Sequence, residues 1–205
     1  MKRFLALSVL LAAALTAFVS CGETKEADDH ANWKSRNTAY INRIATECGD
    51  LTPETAGVGQ MFRLLSYKLD QQKEWGNSSY IYCKVLEKGT GNTSPQYTDS
   101  VRINYRVRLM PSDNYPEGQI VDRSFMTADL NPAVNIPASY RVSNLIDGMV
   151  TAITRMHCGD YWMIYIPYGL GYGTKSQTGV PGCSTLIYEV NLTEIAPTGT
   201  SLSPR

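Results

Sequence analysis

The sequence predicts an α+β domain in which β-strands enclose one short amphipathic helix, following a helical segment near the N-terminus. Its 13 Tyr, 16 Gly and 10 Pro favour strands and turns over a helical bundle. From residue 80 onwards, apolar side chains alternate in several segments, whereas only one segment has them at helical spacing. These elements span about 115 residues, which is long enough to bury a hydrophobic core.

The composition of the 205-residue chain excludes several classes of protein. With 43% hydrophobic and 19% charged residues, the chain suits one globular domain with a short extra segment. Lys+Arg and Asp+Glu both number 19, so no basic excess indicates nucleic-acid binding. The two histidines, His30 and His157, are too few for a His-rich metal site. We therefore expect no metal, no cofactor and no nucleic-acid partner.

The first 21 residues resemble a bacterial lipoprotein signal. Two basic residues precede an apolar run from Phe4 to Val19, which is short for a membrane span but suits a secretory signal. A small residue, Ser20, then stands directly before Cys21. We expect residues 1–20 to be removed as a signal peptide and Cys21 to carry the lipid that anchors the chain to a membrane. Ordinary signal cleavage, with Cys21 left as a plain thiol, is the alternative.

Residues 21–30 are acidic, and we interpret them as a solvated tether. The four cysteines that remain beyond Cys21 can oxidise in an exported domain, and three pairings are open to them. No two cysteines have C-x-x-C spacing, which argues against a zinc ribbon or a thioredoxin-type site. These four cysteines are Cys48, Cys83, Cys158 and Cys183.

Residues 31–78 form a predicted helical appendage. Apolar residues recur near helical spacing from Trp33 to Ile44, before Gly49 and Pro53 interrupt the pattern. The apolar residues between Met61 and Leu69 predict a second helical segment. Nothing in this region indicates chemistry, so we expect it to pack on the main domain, with dimerisation as the alternative.

Five segments have the alternation or the apolar content of β-strands. The longest has apolar residues at every second position, which predicts a strand with one buried face. The predicted strands are Tyr80–Leu86, Val101–Leu109, Ile120–Phe125, Tyr161–Ile166 and Leu186–Leu192.

The amphipathic helix is predicted over Ser143–Met156, where the apolar residues fall on one face. Ser143 is the predicted N-cap, and Asp147 in the first turn suits the positive end of the helix dipole. Gly159 marks the exit from the helix. Beyond the last strand, residues 196–205 predict a flexible tail.

Six short motifs follow one another along the strand-rich region. They are Val101–Tyr105, Gly118–Ser124, Leu145–Met149, Met156–Asp160, Ile166–Gly173 and Val180–Leu186. In this order and at this spacing, up to the closing Tyr188–Leu192, they resemble the FKBP-type peptidyl-prolyl cis-trans isomerases. The resemblance covers roughly residues 80–195, does not include the appendage, and places the domain at residues 79–195.

The resemblance implies a twisted antiparallel sheet wrapped around the helix, with an apolar cup between them that holds a proline ring. It also implies three catalytic residues. Tyr105 is similar to the pocket tyrosine of the long strand, and Asp122 to the aspartate that orients it by accepting its hydrogen bond. Tyr172 is similar to the tyrosine whose hydroxyl binds a substrate carbonyl. The positions similar to substrate-binding residues are Val121, Val134, Val142, Leu145, Val180 and Tyr188.

Three positions depart from the family pattern. Val121 stands where active members prefer Phe, Val134 stands for another aromatic residue, and Leu145 replaces the common Trp of the cup floor. These departures imply a wider, shallower cup and bear on catalytic strength, but not on the fold. From the residues alone, Tyr105 and Tyr188 would also fit an ordinary β-sheet core.

The resemblance implies a peptidyl-prolyl cis-trans isomerase that assists the folding of exported proteins at the bacterial cell envelope, with the lipid anchor in the outer membrane. Its expected partners are proline-containing segments of those proteins and macrolide inhibitors of the family. One alternative is a binding or chaperone lipoprotein that uses the same cup with little or no catalysis. A second is a surface lipoprotein that binds glycan or protein through its tyrosine-rich strands.

Overall fold

The computed structural model describes residues 28–131 and 134–204. The expected signal peptide and Cys21 lie outside the described residues. Within the described ranges, no helix is long and apolar enough to cross a membrane.

The described residues form an α+β fold, as the sequence predicted. The helices are α1 (Trp33–Glu47) and α2 (Asp147–Ile153). The strands are β1 (Met61–Leu65), β2 (Tyr80–Glu87), β3 (Ser100–Leu109), β4 (Ile120–Arg123), β5 (Ala138–Arg141), β6 (Tyr161–Ile166) and β7 (Leu186–Ala196). They pair in the order β1-β2-β6-β7-β3-β4, β5 also pairs with β3, and every pairing is antiparallel.

Strand β3 is buried on both of its faces, which differs from the single buried face that the alternation predicted. The apolar face, which includes Tyr105 and Val107, packs into the core. On the other face, Asn104 and Arg106 are only 1% and 8% exposed. Arg106 lies opposite Glu189 of β7, so strand pairing supplies the charge that a buried guanidinium requires.

Helix α2 is shorter than the predicted helix over 143–156. Residues 142–144 form a separate 3₁₀ turn, and Leu145 and Ile146 are extended, so Ser143 is not the N-cap. The apolar pattern misled here because extended residues just before a helix point into the same core. Asp147 does lie in the first turn. A side chain at Gly148 would overlap Ile166 of β6, so glycine permits this close packing.

The second helical segment predicted between Met61 and Leu69 is wrong. Met61–Leu65 is strand β1, which pairs with β2, and the residues after it form turns. Phe62 is fully buried and packs edge-on against Trp162, with ring centroids 5.0 Å apart. Periodicity alone does not distinguish so short an apolar run from a helix, and pairing with β2 decides the outcome.

Helix α1 confirms the helical pattern from Trp33 to Ile44. Its buried residues are Trp33, Asn37, Ile41 and Ile44. Ile41 and Ile44 pack with Tyr82 on the side of the sheet away from the main core, and Trp33 enters that core. Residues 31–78 therefore contribute both a helix and an edge strand to the domain.

Hydrogen bonds connect residues 196–204, which fall in the predicted flexible tail, to the rest of the domain. Strand β7 continues to Ala196, and the Thr198 amide donates to Asp99 Oδ1 at 3.1 Å. The Ser203 amide and hydroxyl both donate to Glu194 Oε1, at 2.6 and 2.8 Å. The turn-forming composition of this segment concealed these contacts with the sheet.

The four described cysteines are free thiols. Burial raises the pKa of Cys48 to about 11 and raises that of the fully buried Cys83 well above its usual value. Both are therefore protonated and unreactive near neutral pH. Among the described residues, no cluster of His, Cys, Asp or Glu is arranged to hold a metal ion.

The burial of β1 predicts that it is integral to the core. We expect Phe62→Ala to lower the free energy of unfolding by about 3–5 kcal/mol, because it removes a ring packed on Trp162 and leaves a cavity. Urea denaturation measures this loss. The control is Val58→Ala at a side chain that is 65% exposed. A loss from Phe62→Ala no larger than that of the control would contradict the packing.

Candidate active site

A cavity of about 220 Å³ opens between strands β3, β4, β5 and β7, the start of α2 and the loop that follows β6. Four tyrosines and several aliphatic side chains line it. A second cavity of about 270 Å³ adjoins it and shares Asp122, Tyr172 and Tyr188. We call the two together the cup. The first cavity is lined by Ile103, Tyr105, Asp122, Tyr140, Asn144, Leu145, Ile146, Met149, Tyr172 and Tyr188.

A chain of hydroxyl groups crosses the cup wall. The Tyr140 hydroxyl donates to the Tyr105 hydroxyl at 3.0 Å, and Tyr105 donates to Asp122 Oδ2 at 2.9 Å. The hydrogen bond predicted between Tyr105 and Asp122 is therefore present. The other oxygen of Asp122 accepts from the Arg123 amide at 2.8 Å. With both oxygens engaged, Asp122 is placed to orient Tyr105 and not to remove a proton from a ligand.

Tyr105 and Tyr188 stay protonated in the cup, because the protein raises the pKa of both hydroxyl groups. Burial, followed by the hydrogen bonds with Tyr140 and Asp122, raises the pKa of Tyr105 well above its ordinary value of 10.0. Burial raises the pKa of Tyr188 in the same direction, and the neighbouring Tyr172 adds to the effect. Tyr172 is 41% exposed and lines both cavities, so its side chain borders the space open to a ligand.

The cup is lined by Leu145, as the resemblance implies, and also by Met149. Met149 lies on the first turns of α2, is 1% exposed and lines the cavity. Leu145 is half-buried, extended and precedes the helix, and it lines the same cavity. Met149 closes the Leu145–Met149 motif, four residues along the apolar face, and this spacing was the signal that could have identified it.

Two other predicted binding residues lie outside the cup. Val142 is fully buried in the core and lines neither cavity. Val134 is 62% exposed and also lines neither cavity. Val134 lies in the loop between β4 and β5, and Val142 begins the 3₁₀ turn before α2, so neither belongs to the motifs that carry the resemblance.

The remaining predicted residues do meet in the cup. Val121 and Val180 line the second cavity, with Gln177 and Thr178 beside them. Tyr188 separates the two cavities and is 8% exposed. Sequence reasoning missed Tyr140, whose position on β5 depends on pairing with β3.

Strand β4, which carries Asp122, and the turn that follows it are fastened to β3. The Ser124 amide donates to the Tyr105 carbonyl at 2.9 Å, and the Tyr105 amide donates to Ser124 Oγ at 2.9 Å. Behind the turn, Arg106 Nη1 donates to the Ala128 carbonyl at 2.6 Å, and its guanidinium lies 5.1 Å from the ring centroid of Phe125. These contacts keep Asp122 within reach of the Tyr105 hydroxyl.

On the face of β3 opposite the cup, a buried charge cluster around Glu189 holds Arg106 in place. Glu189 accepts hydrogen bonds from Arg106, Arg108 and Tyr161, and its side chain is 6% exposed. Burial by itself would raise the pKa of Glu189. The hydrogen bonds from Arg106 and Tyr161 and the charges of Arg106 and Arg108 outweigh it and hold that pKa below the usual 4.5.

An antiparallel sheet wrapped around a short helix, with an apolar cup between them, is the FKBP-like fold. A profile of the FKBP-type peptidyl-prolyl cis-trans isomerases matches residues 91–193. The chain belongs to this family.

Curated relatives of the chain are also peptidyl-prolyl cis-trans isomerases. The chain is 35% identical to peptidyl-prolyl cis-trans isomerase Mip of Coxiella burnetii, over 55% of this chain and 43% of the relative. It is 33% identical to the FKBP-type 22 kDa isomerase of Escherichia coli, over 60% of this chain and 55% of the relative. The chain thus spans about half the length of the curated relatives it matches.

Two solved structures share the fold. The crystal structure of FkpA from Escherichia coli superimposes with a TM-score of 0.55 at 24% identity, covering 82% of this chain and 62% of that one. A peptidyl-prolyl cis-trans isomerase from Pseudomonas syringae superimposes with a TM-score of 0.53 at 20% identity, covering 82% and 96%. At these identities the likeness concerns the fold alone.

The lowered pKa of Glu189 predicts how stability depends on pH. Near neutral pH we expect Glu189→Gln to lower the free energy of unfolding by about 3 kcal/mol, because two buried guanidinium groups lose their counter-charge. Because the folded-state pKa lies below 4.5, the contribution of the carboxylate is complete above that pH and is lost as the pH falls through the folded value.

Urea denaturation at a series of pH values measures this dependence. The difference between wild type and Glu189→Gln should shrink below pH 4.5. Glu117→Gln, in an exposed loop, is the matched control and should change little at any pH. A difference for Glu189→Gln that stays constant on acidification would contradict the proposed electrostatics.

Proposed function

We propose that this protein catalyses cis–trans isomerisation of X–Pro peptide bonds in exported proteins as they fold at the cell envelope. The observation that carries the proposal is the cup itself. The buried Met149 and the half-buried Leu145 line the same cavity as the Tyr140 and Tyr105 hydroxyl groups, which hydrogen bonds connect to the Asp122 carboxylate. Membership of the isomerase family supports the same activity.

The reaction needs no nucleophile and no cofactor. An X–Pro bond rotates over a barrier of about 18–20 kcal/mol, because amide resonance must be broken, and unaided rotation takes tens to hundreds of seconds. An apolar surface around the proline disfavours the charge-separated resonance form of the planar amide. The twisted transition state, in which resonance is lost, is therefore favoured relative to the planar ground state.

Each residue of the cup has a role in this scheme. Met149 and Tyr188 hold the proline ring. The hydroxyl of Tyr172 donates to a carbonyl of the peptide and so anchors the peptide on one side of the rotating bond. Asp122 acts through Tyr105 as a positioning residue. Val121 and Val180, in the second cavity, contact the residue next to the proline.

A binding or chaperone module with weak catalysis is the second candidate. Three non-aromatic side chains in the cup support it, because they leave the proline ring fewer aromatic contacts. They are Leu145 and Met149 in the first cavity and Val121 in the second. The third candidate, a tyrosine platform for glycan, lacks support. Tyr105 and Tyr188 are each 8% exposed and face the cup, not solvent.

Attachment to the envelope belongs to the same proposal. The signal pattern of residues 1–20, followed by Cys21 and an acidic tether, supports export and lipidation. One relative, from Legionella longbeachae, is named outer membrane protein MIP, and is 28% identical over 57% of this chain. A tethered domain near the membrane would meet proteins as they emerge unfolded, with their X–Pro bonds still exposed.

A proline tetrapeptide assay tests the activity. We expect the full chain to accelerate cis-to-trans conversion and a macrolide inhibitor of the family to block it. Tyr172→Phe should lower kcat/KM about three- to tenfold, because one hydrogen bond to the peptide is lost. Asp122→Ala should lower kcat/KM about tenfold, because the Tyr105 hydroxyl is no longer held in one orientation. The control, Tyr115→Phe, changes a side chain that is 46% exposed and lies outside the cup.

The outcomes separate the two main candidates. Unchanged kcat/KM in Tyr172→Phe would remove the role assigned to that hydroxyl. Absence of acceleration by a folded wild-type chain that still binds the tetrapeptide would favour the binding module over the isomerase.

Lipidation is tested separately in cells. We expect wild type to incorporate radiolabelled palmitate and to fractionate with membranes, because the acyl chains partition into the bilayer. Cys21→Ser should abolish both, whereas Cys183→Ser, which alters another cysteine, should retain both. A Cys21→Ser chain that is still labelled would contradict the anchor.

A further inference from the structure

We infer that helix α1 is a positioning element for the proposed peptide-binding cup, acting through Trp33 and Asn37 on the loop that carries Tyr172 and Val180. This inference deepens the proposed function and rests on it. It assigns a role to the N-terminal helix, whose sequence indicates no chemistry of its own.

Two buried side chains connect α1 to the loop end. Trp33 Nε1 donates to Ser184 Oγ at 2.8 Å, and Ser184 Oγ donates in turn to the Pro181 carbonyl at 2.6 Å. Asn37 is fully buried, and its Oδ1 accepts from the Thr185 amide at 2.7 Å. These bonds join residues that lie about 150 positions apart in sequence.

Asn37 is itself fixed in one orientation. Its Nδ2 donates to the Trp33 carbonyl at 2.8 Å, one helical turn earlier, which leaves Oδ1 directed at Thr185. The two α1 side chains therefore act as one unit. A solvated surface contact would not need so complete a set of partners, because water could satisfy the groups instead.

The loop between β6 and β7 depends on this attachment. It closes on itself where the Cys183 amide donates to the Gly173 carbonyl at 2.9 Å, directly beside Tyr172. Cys183 has φ of 64°, a left-handed conformation that a residue with a side chain keeps only where its surroundings hold it. Ser184 and Thr185, the next two residues, are the ones that α1 holds. Tyr172 and Val180 line the cup from within this closed loop.

Loosening the contact between α1 and the loop should weaken peptide binding more than it slows rotation about the X–Pro bond. Tyr172 contacts the peptide in the ground state and in the transition state alike, so a displaced loop weakens both. Loosening the attachment should therefore raise KM about tenfold while kcat changes little. A general loss of folded protein would instead lower the apparent kcat and leave KM unchanged.

The experiment is a double-mutant cycle on the full chain. Trp33→Phe keeps a ring but removes the indole donor, and Ser184→Ala removes its acceptor. Each should raise KM for the tetrapeptide about tenfold, and the pair together should cost little more than either one. Hydrogen exchange of backbone amides in residues 173–185 should accelerate in all three variants. The control is Ile41→Val, at a buried α1 side chain that packs on Tyr82, away from the loop.

Every result decides the inference. Raised KM and faster loop exchange in the two single variants, absent from Ile41→Val, would support it. Unchanged exchange and KM, or equal effects from the control, would overturn it. If wild type shows no isomerase activity, the proposed function fails, and loop exchange alone then decides whether α1 positions the loop.

Discussion

Both faces of strand β3 are buried, and the packing of the elements around it depends on which side chains each face carries. One face carries Tyr105 into the cup, and the next residue along, Arg106, carries a guanidinium into a nearly dry interface. A buried charge is tolerated only when it is paired and hydrogen-bonded. Glu189 meets this requirement from the adjacent strand, and the same Arg106 reaches the loop behind Asp122. The charge cluster and the cup are therefore two sides of one strand.

The cup suits a reaction in which no covalent bond is made or broken. What such a site can supply is an apolar surface and donors whose direction is fixed before a ligand arrives. The chain from Tyr140 through Tyr105 to Asp122 fixes one hydroxyl, and burial keeps Tyr105 and Tyr188 protonated. The second cavity, on the Val121 side, extends the same surface beyond a single ring. Contacts at a distance, on α1, hold the loop that completes it.

The accuracy of the sequence-based predictions follows the kind of information each one used. The long strands and the Tyr105–Asp122 contact were predicted, because alternation and short motifs are local in sequence. The segment at Met61–Leu65 was assigned to the wrong class, since a short apolar run has no unambiguous period. Leu145 lines the cup, whereas Val134 and Val142 line neither cavity. Val134 lies in an irregular loop and Val142 in a 3₁₀ turn, where the backbone has no strand or helix period to count along.

By itself, the sequence indicated the family through its ordered motifs, and its hydrophobic pattern predicted the long strands and the short enclosed helix, because both signals are local. The residues expected in the cup came from the resemblance to that family. Only the tertiary structure decided that Met149 lines the cup beside Leu145, that Tyr140 joins the hydroxyl chain and that Glu189 neutralises Arg106. It alone joined Trp33 and Asn37 to a loop about 150 residues away. The physical reason is that a polar side chain finds its partner through strand pairing and helix docking, and neither leaves a mark at a fixed spacing in the sequence.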